Sequence, residues 1–205
     1  MRFSPPMAAI GGREVGAIGF GMIGLTWRPV PYPVEHSIRV LREALENGSK
    51  FGRASLRCFI LPIADCKTVS ELLERWRVLQ DSQNISLTLL ERYFERCSED
   101  VDRVFISIKA GMNPTTRKMD GSAANTRRTI DNCMALLKGR KKIVLFQFAR
   151  VDLCVPMANT FSLIEREYVR TGKIVGVGLS EVSPAVIDEV MKYTRMLAVE
   201  VELSM

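Results

Sequence analysis

The sequence predicts a parallel α/β protein, either doubly wound or closed into a barrel. Two observations carry that expectation. Short apolar runs bounded by glycines and turn residues alternate with segments of helical period along most of the chain. The final stretch, 172–205 (GKIVGVGLSEVSPAVIDEVMKYTRMLAVEVELSM), reads as a complete strand–helix–strand unit. Within it, 174–179 is an apolar run interrupted only by glycines, the composition of a strand buried on both faces. Ser183 and Pro184 supply an N-cap and a first-turn proline, with Ile187, Val190 and Met191 as the inward stripe of the helix. A second strand follows at 197–201, and the crossover is expected to be right-handed. Ser180 and Glu181 fall at the carboxyl end of the first strand, where α/β proteins place their chemistry.

Composition excludes several classes. A chain of 205 residues is long enough to bury a core of its own and is read as a single domain, 1–205. Its net charge of +6 comes from 29 basic and 23 acidic residues that are interspersed, apart from Arg140-Lys141-Lys142. That pattern gives a solvated surface, not the focused patch a nucleic-acid partner needs. Five cysteines, at 58, 66, 97, 133 and 154, form no CxxC pair and fit reduced thiols in a cytoplasmic protein. His36 is the sole histidine, which removes most zinc sites, so no metal is expected. No run reaches the ~18 apolar residues of a membrane span, and the start lacks a signal-peptide pattern.

Taken from the start, 15–25 (VGAIGFGMIGL) is expected to be the first strand. Its GFGMIG matches GxGxxG, but a dinucleotide fingerprint needs a helix to open at the glycines. Here Trp27–Pro33, with three prolines, intervenes. The favoured reading is a barrel strand whose glycines admit close approach of backbone or ligand. A helix over 34–46 follows, with Ile38, Leu41 and Leu45 inward and Asn47-Gly48 as its stop. Between 50 and 83 the signal drops. One apolar run, 58–63, is broken by Pro62, a helix is expected at 69–79, and no second parallel strand is legible, so the region is expected to be irregular. Order returns at Ile85. Leu87, Leu90, Tyr93 and Phe94 form a helical stripe, and a strand over 104–108 ends at Lys109. A polar loop, 113–121, leads to a helix over 123–138 that carries Ile130, Met134 and Leu137 and stops at Gly139. A strand at 143–148 is followed by Arg150 and Asp152, then by a helix over 156–170 with Phe161, Ile164 and Tyr168 inward. Six strands at most are expected.

Several of these segments, in this order, resemble the aldo-keto reductases, and among them the fungal pyridoxal reductase-like branch. GFGMIGLTWRP is similar to that branch's first-strand motif, ISIKAG to the strand that delivers the family's catalytic lysine, and LFQFARVD to the next strand. GKIVGVGLSEVS resembles the cofactor-proximal strand and AVEVELSM the start of the one after it. The resemblance implies a TIM-type (β/α)8 barrel of the NADP-dependent oxidoreductase kind, here incomplete at about six strands. It implies NADPH-dependent reduction of a small aldehyde or ketone, pyridoxal-like, to the alcohol. Lys109 matches the catalytic lysine, whose ammonium favours the phenolate of a tyrosine acid beside it. Ser180 and Glu181 match the pair that holds the nicotinamide carboxamide. Glu200 falls where relatives place a glutamine or glutamate at the same amide, and the backbone at Gly21 and Met22 matches the cofactor side of the first strand.

The chain departs from that pattern in three places. The family histidine position falls on Ala149, as in the pyridoxal reductase branch. The Glu-x-Tyr-Gly segment that supplies the tyrosine acid is replaced by the divergent stretch 50–83, with no tyrosine between Tyr32 and Tyr93. A (β/α)8 barrel typically takes about 250 residues, and in the family the phosphates and adenine of NADPH are bound by loops after the last two strands, beyond this sequence. Leu203 also stands where a nicotinamide-stacking tyrosine is common. From these departures the 205-residue chain is expected to bind NADPH more weakly than about millimolar and to turn over no aldehyde. The open barrel edges are expected to favour self-association. The alternatives to the reductase are a catalytically silent relative acting as a binding or interaction protein, and a truncated gene product with no role.

Overall fold

The computed structural model describes residues 8–15, 18–26, 32–49, 51–55, 85–116 and 118–202. Six strands, all parallel, form one sheet whose spatial order is the order of the sequence. They are β3 (Gly19–Gly21), β4 (Phe51–Ser55), β5 (Phe105–Ala110), β6 (Ile143–Phe148), β7 (Ile174–Ser180) and β8 (Met196–Glu200). A doubly wound sheet contains a point at which strand order reverses. Among the described residues there is none, which decides between the two architectures in favour of a barrel progression. An antiparallel hairpin, β1 (Ala8–Ile10) and β2 (Arg13–Val15), precedes the sheet.

The helices follow from their sequence periods. They are α1 (Ile23–Thr26), α2 (Val34–Glu46), α3 (Ile85–Arg96), α4 (Ala123–Leu136), α5 (Met157–Ile164) and α6 (Pro184–Met191). α2 has the expected bounds, with Ile38 and Leu45 buried, Leu41 half-buried and a stop at Asn47, whose backbone and side-chain N–H groups both donate to the Glu43 carbonyl. The α3 stripe of Leu87, Leu90, Tyr93 and Phe94 is buried throughout. α5 runs on into a π-turn, Glu165–Val169, that keeps Tyr168 inward beside Phe161 and Ile164. In α4 the Ser122 hydroxyl accepts from Asn125 N, a side-chain cap that satisfies one of the free donors of the first turn.

The hydrophobic core has two parts. Ile106, Ile108, Phe146, Phe148, Val177 and Leu179 join Leu87, Leu90, Ile130, Leu137, Phe161, Ile164 and Val190 of the helices in the larger core. A second, smaller cluster holds Phe105, Val144 and Leu145 with Val15, Ile10, Val175 and Leu197. The hairpin thus packs near the amino-terminal ends of the strands, away from their carboxyl ends. A barrel interior filled at one end and polar at the other is the arrangement that places chemistry at the strand ends.

Four expectations are corrected. The first strand is not 15–25: Val15 ends the hairpin, β3 has three residues, and Ile23–Thr26 turns into α1. That turn is fixed by Leu25 N and the Thr26 hydroxyl, which both donate to the Met22 carbonyl at 3.0 Å, while the Thr26 hydroxyl also pairs with that of Ser86 at 2.8 Å. The stretch after Lys50 does contain the second strand. β4 lacks the β-branched run that marks a strand locally, and pairing on both sides, with β3 and β5, holds it in place. Ser183 makes no side-chain cap; only its carbonyl accepts, from Val186 and Ile187 N. Met191 is 59% exposed, because α6 turns Val190 to the sheet and the next position lies about 100° away. The apolar run expected at 58–63 and the helix at 69–79 lie outside the described residues.

Candidate active site

Lys109 is the centre of the polar strand ends. Its side chain is 2% exposed, and its Nζ donates to Ser180 Oγ at 2.8 Å and to Glu200 Oε1 at 2.9 Å. Ser180 and Glu200 are register partners at the carboxyl ends of β7 and β8, whereas Lys109 stands on β5. Its partner across β6 is Gln147, whose own partner on β7 is Gly178. The lysine stem therefore spans β6 and β7 to reach its acceptors. A Cβ on Gly178 would fall 2.6 Å from Gln147 Cγ and 3.0 Å from its Nε2, so the glycine is what lets the Gln147 side chain lie against the β7 backbone. Burying an ammonium is tolerated only with a counter-charge and hydrogen bonds. Glu200, 31% exposed at its side chain, supplies the charge and a route to solvent.

The neighbouring groups are less evenly satisfied. Among the described residues, Gln147 Oε1 and Ser107 Oγ are buried without a hydrogen-bond partner. Arg150 reaches Ser180 Oγ at 3.4 Å and the Ala149 carbonyl at 2.7 Å. Glu181 is a non-glycine residue at φ 54°, a conformation rare enough to mark local strain. It is held there by its own N–H on the Glu200 carbonyl at 2.8 Å and by Glu202 N on its Oε1 at 2.7 Å. Asp152 accepts from Gly121 N and Cys154 N and so ties the loop after β6 to the start of α4.

Of the six residues singled out by sequence, the fold gathers Lys109, Ser180 and Glu200 in direct contact, with Glu181 adjoining. Gly21 lies exposed at the end of β3. Met22 is fully buried in the helix-side core, where it lines a small apolar cavity with Phe20, Leu45, Leu90 and Tyr93. Its side chain is structural. Leu203 lies outside the described residues. Gln147 received no role from the sequence, although one polar residue inside the apolar IVLFQF was the signal that could have found it.

The tyrosines are engaged elsewhere. Tyr93 donates to Asp100 Oδ2 at 2.7 Å and Tyr168 to Asp131 Oδ1 at 3.0 Å, and burial first, then those carboxylates, pushes both phenols well above their ordinary range. Tyr193 donates to Glu189, and Tyr32 stacks on His36 with ring centroids 4.7 Å apart. A phenol raised in this way is a poor proton donor to a substrate at neutral pH.

A buried lysine with hydrogen-bonding side chains at the carboxyl ends of β5, β7 and β8 stands where parallel barrels place their chemistry. Residues 17–205 match the sequence model of the Aldo/keto reductase family, and the chain belongs to that family. It is 33% identical over 199 residues to the probable pyridoxal reductase 2 of Schizosaccharomyces pombe, covering 97% of this chain and 54% of that one. A putative pyridoxal reductase of Saccharomyces cerevisiae is 27% identical over 195 residues, covering 91% of this chain and 51% of that one. The chain thus spans about half the length of the curated relatives it matches. Its fold is similar to that of a glycerol dehydrogenase from Gluconobacter oxydans, with a TM-score of 0.72 at 16% identity over 96% of this chain and 55% of that one. An aldo-keto reductase from Bacillus halodurans gives 0.68 at 18% identity, over 97% and 57%. At such identities the likeness concerns the fold, which is part of a (β/α)8 barrel.

Proposed function

We propose that these residues form the nicotinamide-side active site of an NADPH-dependent carbonyl reductase that converts a small, pyridoxal-like aldehyde to its alcohol. The observation that supports it is the fully buried Lys109 ammonium between the Ser180 hydroxyl and the Glu200 carboxylate at the strand ends. When bound, a reduced nicotinamide supplies the hydride that goes to the carbonyl carbon. Its carboxamide offers an NH2 donor and a carbonyl acceptor, and the donor set here fits both. The Ser180 hydroxyl can donate, and the Glu200 and Glu181 carboxylates can only accept. By family resemblance the backbone at Gly21 and Met22 flanks the same ligand. Lys109 has three N–H donors, of which two go to Ser180 and Glu200 among the described residues, so at least one can face the carbonyl oxygen on which negative charge develops. The proposal takes 1–205 as one domain with the stretch after β4, up to about residue 83, as a divergent insert. It places the protein in the cytoplasm, with neither nucleic acid nor membrane as partner; among the described residues no helix is long and apolar enough to cross a membrane.

A second reading rests on a specific observation. The lysine that should serve a tyrosine acid instead binds Glu200, and three of the four tyrosines give their hydroxyls to other carboxylates. That favours a catalytically silent relative that binds but does not turn over. NADPH oxidation in the presence of pyridoxal, with Lys109→Met as control, separates the two. The reductase reading expects turnover that falls at least ~100-fold in the variant, the scale of lost electrostatic stabilisation. The silent reading expects no difference between the two proteins.

A further inference from the structure

The residues that would hold the nicotinamide carboxamide already hold Lys109. Ser180 Oγ and Glu200 Oε1 are its two acceptors, and Glu181 Oε1 is engaged by Glu202 N. A ligand amide that docks on Ser180 and Glu200 competes with the buried ammonium for the same two side chains, and an unpaired charge at 2% exposure is too unfavourable to persist. A replacement acceptor has to lie within reach of the same lysine stem.

One such acceptor is present. Gln147 is the register partner of Lys109 on the adjacent strand, is itself 2% exposed, and carries a buried Oε1 with no hydrogen bond. Its side chain is seated against Gly178, below the path that the lysine takes to β7 and β8. An orphaned buried carbonyl in a folded protein needs a reason, since leaving it unpaired is unfavourable by an amount comparable to a lost hydrogen bond. We propose that Gln147 is a positioning residue that receives the Lys109 ammonium when Ser180 and Glu200 turn to the nicotinamide carboxamide. The handover moves the lysine toward β6, opens Ser180 and Glu200 to the carboxamide, and keeps the ammonium hydrogen-bonded in either state, with the nearby Glu200 carboxylate as its counter-charge. No bond is made or broken, and no proton changes owner. The inference rests on the cofactor reading given above.

The test is a double-mutant cycle on the full 205-residue chain, with NADPH binding followed by NMR shifts so that weak affinities remain measurable. Gln147→Leu is expected to weaken NADPH roughly tenfold, the scale of one hydrogen bond to a charged group. In a Lys109→Met background the same substitution is expected to change affinity less than about twofold, because no ammonium remains to be rehoused. Gln147→Glu, which keeps an acceptor at the same reach, is expected to restore binding, and circular dichroism confirms that each variant is folded. In the wild type the Gln147 side-chain amide signals are expected to move on NADPH addition. Equal weakening in both backgrounds, or no weakening at all, overturns the handover while leaving the cofactor reading intact. Absence of NADPH binding by the wild type and by every variant removes the cofactor reading and the handover with it.

Discussion

Gly111→Ala is expected to lower the free energy of unfolding by about 3–5 kcal/mol, from added backbone strain and overpacking together. Gly111 adopts φ 106°, where side chains are rarely tolerated. A Cβ there would lie 2.3 Å from Phe148 Cδ1, 2.9 Å from Cε1 and 3.1 Å from Met119 Cε. The Phe148 ring cannot give way easily. It is 2% exposed and wedged edge-on between Phe146 and Phe161, with centroids 5.5 and 5.7 Å away. The Gly111 carbonyl also accepts from Asp120 N and Asn125 Nδ2, so a backbone shift would break the junction with α4. Because Lys109 is two residues earlier on β5, the shift would disturb the site as well. Urea unfolding of the variant measures the effect, and a loss under about 1 kcal/mol would mean that the turn has slack not evident in its geometry.

Glu200→Leu is expected to be destabilising by about 2–4 kcal/mol, below the range for a fully buried pair because the carboxylate side chain is 31% exposed. The loss comes from the ammonium left behind, not from the ion pair as such. Lys109→Met is therefore expected to cost less, since the stranded carboxylate can reach water. The double variant Lys109→Met/Glu200→Leu is expected to recover most of the Glu200→Leu deficit. Additive losses in the double variant would show that the two side chains are not energetically paired.

The parts of this fold legible in the sequence are those specified locally. Helices α2, α3, α4 and α5 announce themselves by stripes such as Leu87, Leu90, Tyr93 and Phe94, and by stops such as Asn47-Gly48. The strands around Ile106, Phe146 and Val177 are buried on both faces, mostly apolar and flanked by turns, so their composition is distinctive. β4 was not legible, because Phe-Gly-Arg-Ala-Ser carries no strand pattern of its own and its state is set by β3 and β5. The hairpin escaped for a related reason: strands of three residues fall below any periodicity, and the burial of Ile10 and Val15 is decided by distant Phe105 and Leu197. In the site, strand-end polar residues pointed to Lys109, Ser180 and Glu200 one by one. That they bind each other across strands separated by 71 and 91 positions is a product of register, which the sequence does not display.

The central claim is that the carboxyl ends of β5 through β8, around Lys109, receive a nicotinamide. The measurement that tests it most directly is a backbone amide NMR titration of the 205-residue chain with NADPH up to ~10 mM, a range that reaches affinities of a few kcal/mol. The account expects saturable shifts centred on Lys109, Gln147, Ser180, Glu181 and Glu200, diminished by Glu200→Leu. Shifts confined to the basic stretch Arg140-Lys141-Lys142, or none at the strand ends at saturating ligand, would contradict it.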